Sequence, residues 1–302
     1  MVRAVHEAGQ DGRVFDSPAA VRAALAGVGY LADTATATTV FLAARLERPL
    51  LVEGPAGVGK TQLATAVSRA ASAELIRLQC YEGLDEARAL YEWNYRKQLL
   101  RIQVEAARGG DAATWERTHD DIFTDEFLLA RPLLRAIRRD APTVLLIDEA
   151  DKTDVEVEAL LLEVLSEYQV TIPELGTVTA TRRPFVVVTS NATRELSEAL
   201  KRRCLYLYLD YPAAEREREI IVGQVPGVQE ALAEQVVQTA ATLRALELRK
   251  LPSVAETIDW ARTLVALGVD DLDEAAIAST LGVVLKHRSD HARAAKELGL
   301  TS

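Results

Sequence analysis

Short, nearly continuous apolar runs recur along the chain at Leu50–Val52, Leu75–Leu78, Val144–Ile147, Phe185–Thr189 and Leu205–Leu209. Runs of this length and composition predict strands buried on both faces. Between most of them apolar positions return at helical spacing, as at Leu63, Ala64, Val67 and Ala70 within Gln62–Ala71. Strands alternating with helices predict an α/β fold built on a five-stranded, mainly parallel sheet. Val170, Ile172 and Val178 alternate about Pro173-Glu174-Leu175-Gly176, so 169–181 is expected to form a hairpin. Near the start, Ser17-Pro18 reads as the N-cap and first position of an Ala-rich helix, and Asp33 or Thr34 caps a second running to about Leu46.

Beyond Tyr211-Pro212 the strand pattern stops. Helical stretches follow at Glu215–Val222, Val228–Leu246, Val254–Leu267 and Glu274–Leu285, broken at Gly223, Pro226-Gly227, Pro252 and Gly268. The expected organisation is an α/β domain over 17–212 and a smaller all-helical domain over 213–302. Residues 1–16 are aperiodic and expected to be poorly ordered. The 80–143 interval is longer than a crossover needs and predicts an insertion, in which Ala89–Arg108, free of Gly and Pro, reads as one long helix.

Composition narrows the function classes. The 302 residues carry 45 acids against 35 bases, a formal charge of −10, which argues against a sequence-independent nucleic-acid binder. No stretch approaches the roughly 18 uncharged apolar residues of a membrane span, and the first residues show no apolar signal-peptide core. A cytoplasmic location without a transmembrane segment is expected. Cys80 and Cys204 stand far apart and are expected to be buried, inert thiols.

The chemistry concentrates after three of the strands. Gly54-Pro55-Ala56-Gly57-Val58-Gly59-Lys60-Thr61, followed by Gln62, fits G-x-x-x-x-G-K-[ST] between a strand and a helix. Such glycines let backbone N–H groups turn onto a polyphosphate, and the helix N-terminus adds positive charge. Lys60 is expected to reach the β and γ phosphates of ATP, and the Thr61 hydroxyl to bind Mg²⁺. Asp148 and Glu149 end the third apolar run in chain order; the first is expected in the Mg²⁺ shell, the second to polarise the attacking water. Asn191, at the end of Phe185–Thr189, is placed to orient that water. Lys201-Arg202-Arg203 precedes the last strand and offers an arginine to a neighbouring subunit's phosphate.

These strings resemble those of AAA+ ATPases, and within them the MoxR family. GPAGVGKT resembles the family's Walker A motif, VLLIDEAD (Val144–Asp151) its Walker B, Thr189-Ser190-Asn191 its sensor 1, and Arg202 or Arg203 its arginine finger. Leu78–Asp85, Ala89–Trp93 and Pro252–Glu256 resemble the branch associated with carbon-monoxide dehydrogenase and similar molybdenum hydroxylases. The resemblance implies a P-loop fold with a helix-2 insertion at 80–143, a pre-sensor-1 hairpin and a helical lid. It also implies a homo-oligomeric ring, a hexamer, that couples ATP hydrolysis to remodelling or maturation of a client metalloenzyme with a von Willebrand factor A (VWA) domain partner. The chain departs from the family where a sensor 2 arginine is expected: the stretch here is Pro252-Ser253-Val254-Ala255, with Arg249 or Lys250 as substitutes.

Other readings compete. A P-loop kinase would need an acceptor pocket and has no use for Glu149 plus an arginine in trans. A nucleotide-dependent assembly switch would not need the Asp148-Glu149 pair. A nucleic-acid motor fits poorly with the charge. His287 and His291, at i and i+4, lack a third ligand and read as a solvated helix end rather than a metal site. Tyr91, Trp93 and Tyr95 read as packing or, with the hairpin tip, as a contact for a client or partner.

Overall fold

The computed structural model describes residues 15–107 and 121–300, so residues 1–14 of the segment expected to be poorly ordered lie outside them. Ser17 accepts the Ala20 amide and caps α1 (Pro18–Gly27), and Asp33 accepts the Thr36 amide and caps α2 (Thr34–Leu46). Then come β1 (Leu50–Glu53), α3 (Lys60–Ala70), β2 (Glu74–Gln79), α4 (Glu86–Ala89), β3 (Tyr91–Trp93), α5 (Tyr95–Ala107), β4 (Leu128–Ala130), α6 (Pro132–Arg138) and β5 (Thr143–Asp148). The α/β part closes with α7 (Val155–Glu167), β6 (Gln169–Ile172), β7 (Gly176–Thr179), β8 (Phe185–Ser190), α8 (Glu198–Arg203) and β9 (Leu205–Tyr208).

The five apolar runs form one parallel sheet in the order β2-β5-β8-β1-β9. Successive side chains in a strand face opposite sides, and the core splits accordingly. Leu51, Leu145, Ile147, Val186 and Val188 pack with α6 and α7 residues such as Leu133 and Leu161 on one face. Leu50, Val52, Val144, Leu146 and Val187 pack against α1, α2 and α3 on the other. The chain is therefore an α/β P-loop NTPase fold, with all five strands ending on the same side.

A helical region follows: α9 (Ala214–Gln224), α10 (Glu230–Arg244), α11 (Val254–Ala266), α12 (Glu274–Val284) and α13 (Arg288–Glu297). Its core is separate and centres on Trp260, which is wholly buried and donates its indole N–H to Thr280 Oγ1 at 2.7 Å. Ser253 and Glu256 close a capping box at the start of α11. Among the described residues no helix is long and apolar enough to cross a membrane.

The single helix expected over Ala89–Arg108 is not formed. Tyr91 and Trp93, alternating about Glu92, make β3 antiparallel to β4, with Trp93 opposite Leu128. Helix α5 begins only after Asn94, whose Oδ1 accepts the Lys97 amide at 3.1 Å. Aromatic residues at a period of two and an Asn cap outweigh the absence of Gly and Pro. Trp93 is 7% exposed and meets the Phe123 ring edge-on at 5.1 Å, so it belongs to the core rather than to a partner surface; Tyr95 is exposed. The predicted hairpin is present as β6 and β7, turning at Gly176 with φ +80°.

Candidate functional site

The phosphate-loop sequence leaves β1 and enters α3 through glycines with left-handed backbone. Gly54, Gly57 and Gly59 have φ of +151°, +77° and +99°. A Cβ on Gly54 would run into the Leu209 carbonyl, and one on Gly57 into the Ser253 side chain. These positions require glycine, as a loop that must expose its backbone to a ligand does. Lys60, the first residue of α3, is 7% exposed, and its Nζ donates to the carbonyls of Gly54 and Pro55 and to Asn191 Oδ1, each at 2.7 Å. Burial lowers its pKa, while Asp151, Asp148 and Glu149 pull the other way.

Strand β5 delivers the acids. Asp148 is 2% exposed and accepts the Thr61 hydroxyl at 3.0 Å, the Thr189 hydroxyl at 2.5 Å and Arg77 at 2.5 Å. Glu149 turns away from it with a left-handed backbone, φ +59°, and its amide donates to Thr189 Oγ1. Its carboxylate accepts Gln79 at 2.9 Å, Lys152 at 2.7 Å and the Asn191 amide at 3.5 Å. The structure thus brings Lys60, Thr61, Asp148, Glu149 and Asn191 together beyond the carboxyl ends of the strands, where open α/β sheets bind ligands. Pro55, Ala56, Val58 and Gln62 line the same loop and helix start. A cation-binding hydroxyl beside a carboxylate, next to a lysine under a glycine loop, suits a Mg²⁺–nucleotide.

Arg202 and Arg203 are not part of this cluster. They end α8 just before β9, and β9 runs parallel to β1 with Leu205 opposite Leu50. The arginines therefore sit at the amino end of the sheet, about 13 Å of strand away from the loop that follows Glu53. Arg203 donates to Ser166 Oγ at 2.7 Å and to the Ala199 carbonyl; Arg202 is exposed and has no described side-chain partner.

Several contributors escaped the sequence reading. Thr189 joins Asp148 to the Glu149 amide, Arg77 adds a cation to Asp148, and Asp151 is buried beneath Asn191. Arg77 carried a signal, a lone charge within the apolar run of β2. Neither proposed sensor 2 substitute meets the phosphate loop: the Lys250 ammonium pairs with Glu256, and the amides of Arg249 and Lys250 donate to Asp290. What does meet it is the start of α11, where the Ala255 amide donates to the Gly57 carbonyl at 3.3 Å. The thiols of Cys80 and Cys204 are both buried, which pushes each up to about 12. His287 stands at the N-cap of α13 and His291 hydrogen-bonds the Leu285 carbonyl at 2.9 Å; no metal-binding cluster occurs among the described residues.

Residues 49–204 match the AAA domain of the dynein-related subfamily. The chain belongs to this family. The matched span of the AAA domain runs from β1 to the end of α8, taking in the phosphate loop, the acids of β5, Asn191 and both arginines. Among its relatives is the denitrification regulatory protein NirQ of Pseudomonas aeruginosa, 27% identical over 240 residues, which cover 76% of this chain and 81% of that one. NirQ of Stutzerimonas stutzeri is 24% identical over 69% of this chain and 68% of its own. An uncharacterized protein of Staphylococcus haemolyticus is 26% identical over 74% and 77%.

Proposed function

We propose that the chain is a Mg²⁺-dependent ATPase of the MoxR type, working as a hexameric ring. The observation that carries this reading is the convergence of Lys60, Thr61, Asp148, Glu149 and Asn191 on one phosphate loop. The glycine-loop amides and Lys60 would hold the β and γ phosphates, and Thr61 and Asp148 would hold the metal. Mg²⁺, when bound, neutralises charge on the phosphate oxygens. Glu149 orients and takes the proton of the attacking water, with Asn191 fixing its direction. Arg202 is the arginine for the neighbouring subunit, since Arg203 is engaged by Ser166 within its own chain.

The work done with that energy is remodelling or maturation of a client metalloenzyme, together with a VWA-domain partner. The resemblance to the MoxR family, including the strings shared with the carbon-monoxide dehydrogenase branch, supports this. The NirQ relatives, named for regulating denitrification, fit a redox-enzyme client. The test is direct: purified chain should bind ATP and release phosphate in Mg²⁺, with release stopped by EDTA. A chain that binds no ATP at millimolar concentration rejects the reading.

A further inference from the structure

Asp148 ends β5 and Glu149 and Asp151 follow it, the last with no part in the chemistry described so far. Asp151 is 3% exposed, in the single turn Ala150–Lys152 behind Glu149. Its bonds to other residues run to the loop after β8: Oδ1 accepts the Asn191 amide at 3.2 Å, and Oδ2 accepts the Thr193 amide at 3.0 Å and its hydroxyl at 2.5 Å. Between those anchors lies Ala192, held at φ +55°, a left-handed conformation costly for a residue with a Cβ. Ser190 Oγ, fully buried, accepts the Ala192 amide at 2.9 Å and closes the turn. The turn aims the Asn191 carboxamide, whose oxygen accepts Lys60 and whose nitrogen donates to Glu149. Burial would raise the Asp151 pKa, but the Thr193 hydroxyl and the Thr193 and Asn191 amides outweigh it and hold the carboxyl below its ordinary range.

We infer that Asp151 is a positioning residue for the ATPase reaction, clamping the Asn191–Thr193 turn so that the Asn191 carboxamide bridges Lys60 and Glu149. A strained turn persists only where its surroundings over-determine it. Here three donors converge on one buried carboxylate, and an amide in its place would turn an N–H₂ group toward backbone N–H donors. The inference rests on the ATPase reading and assigns Asp151 no contact with nucleotide, metal or water. It predicts that the clamp acts on turnover through Asn191, beyond what the Asp151 charge does for the nearby Lys60 ammonium.

The experiment is a double-mutant cycle on the full chain, with steady-state ATPase and titration of fluorescent Mg²⁺–ADP as readouts. Asp151→Asn should lower kcat on the order of 10²-fold, the effect of roughly 1 Å of misplacement. Its nucleotide Kd should change far less than kcat, and Thr193→Val, which keeps the Asp151 charge beside Lys60, should leave Kd within about twofold of wild type. Adding Asp151→Asn to Asn191→Ala should change kcat no further. Multiplying effects, or an affinity loss as large as the kcat loss, overturns the inference. If Asp151→Asn does not fold, Thr193→Val serves the same cycle, with a loss of about tenfold, as for one hydrogen bond to a charged group. Turnover lost in Asn191→Ala but kept in both the Asp151 and Thr193 variants rejects the clamp and leaves the ATPase reading standing. A wild-type chain without ATPase rejects that reading, and the inference with it.

Discussion

At the carboxyl end of the sheet the charged side chains turn inward: Lys60, Asp148 and Asp151 are each under a tenth exposed, Lys60 and Asp151 both bonded to Asn191 and Asp148 to Thr61. At the amino end of the same strands Arg48 and Arg183 serve the chain's own carbonyls and Glu47, while Arg202 projects outward. One end gathers the glycine loop, Lys60 and the acids of β5 into a single cluster. The other leaves Arg202 exposed. Parallel pairing of β1 with β9 fixes the two at opposite ends of the sheet, so Arg202 cannot reach the loop of its own chain.

The two ends differ most at Lys60. Its ammonium is the one lysine charge within the phosphate loop, and Lys60→Ala should abolish ATP binding in a fluorescent-nucleotide titration while leaving the fold, read by circular dichroism, intact. Next comes the other edge. Arg202→Ala should keep nucleotide affinity and lose about 10³–10⁵ in kcat, the usual worth of an arginine finger. Arg203→Ala, which removes a bond to Ser166, should lose far less. Glu149→Gln should bind ATP as wild type does and lose roughly 10²–10⁴ of turnover, because the base is gone but Asp148 and Thr61 remain.

The smallest effect concerns the arm between the edges. Glu158, 2% exposed, accepts the Ser197 amide at 2.9 Å and pairs with Arg194, tying down the start of α8. Burial would raise its pKa, but the Ser197 and Arg194 donors bring it below the ordinary value. Its stabilising contribution is therefore complete above the unfolded-state pKa of about 4.3 and fades as pH falls through the lower folded value. Glu158→Gln should cost about 1–2 kcal/mol at pH 7. The gap to wild type in thermal melts should narrow below about pH 4.

Much of the phosphate-binding edge was legible because its signals are local. A glycine loop between an apolar run and an Ala-rich helix is complete within about a dozen residues, and acids ending an apolar run declare themselves. The helical pattern of Val254–Leu267 marked α11 in the same way, though the capping box of Ser253 and Glu256 at its start went unread. What was illegible depended on partners distant in the chain. Ala89–Arg108 read as helix because β4, which turns Tyr91–Trp93 into a strand, lies beyond α5. Asp151 looked like a further acid of the strand end until the turn after β8 was folded onto it. Likewise the docking of Ala255 on Gly57 could not be read from either stretch by itself.

If one chain binds the phosphates and another completes the site, mixing two defective chains restores activity. Chains carrying Lys60→Ala, which retain Arg202, and chains carrying Arg202→Ala, which retain Lys60, should each be inactive alone. Combined, they should regain ATPase that rises with total protein concentration and peaks near equal proportions. Mixtures as inactive as their components, or wild-type activity per chain that is constant down to dilutions where only monomer exists, would contradict it.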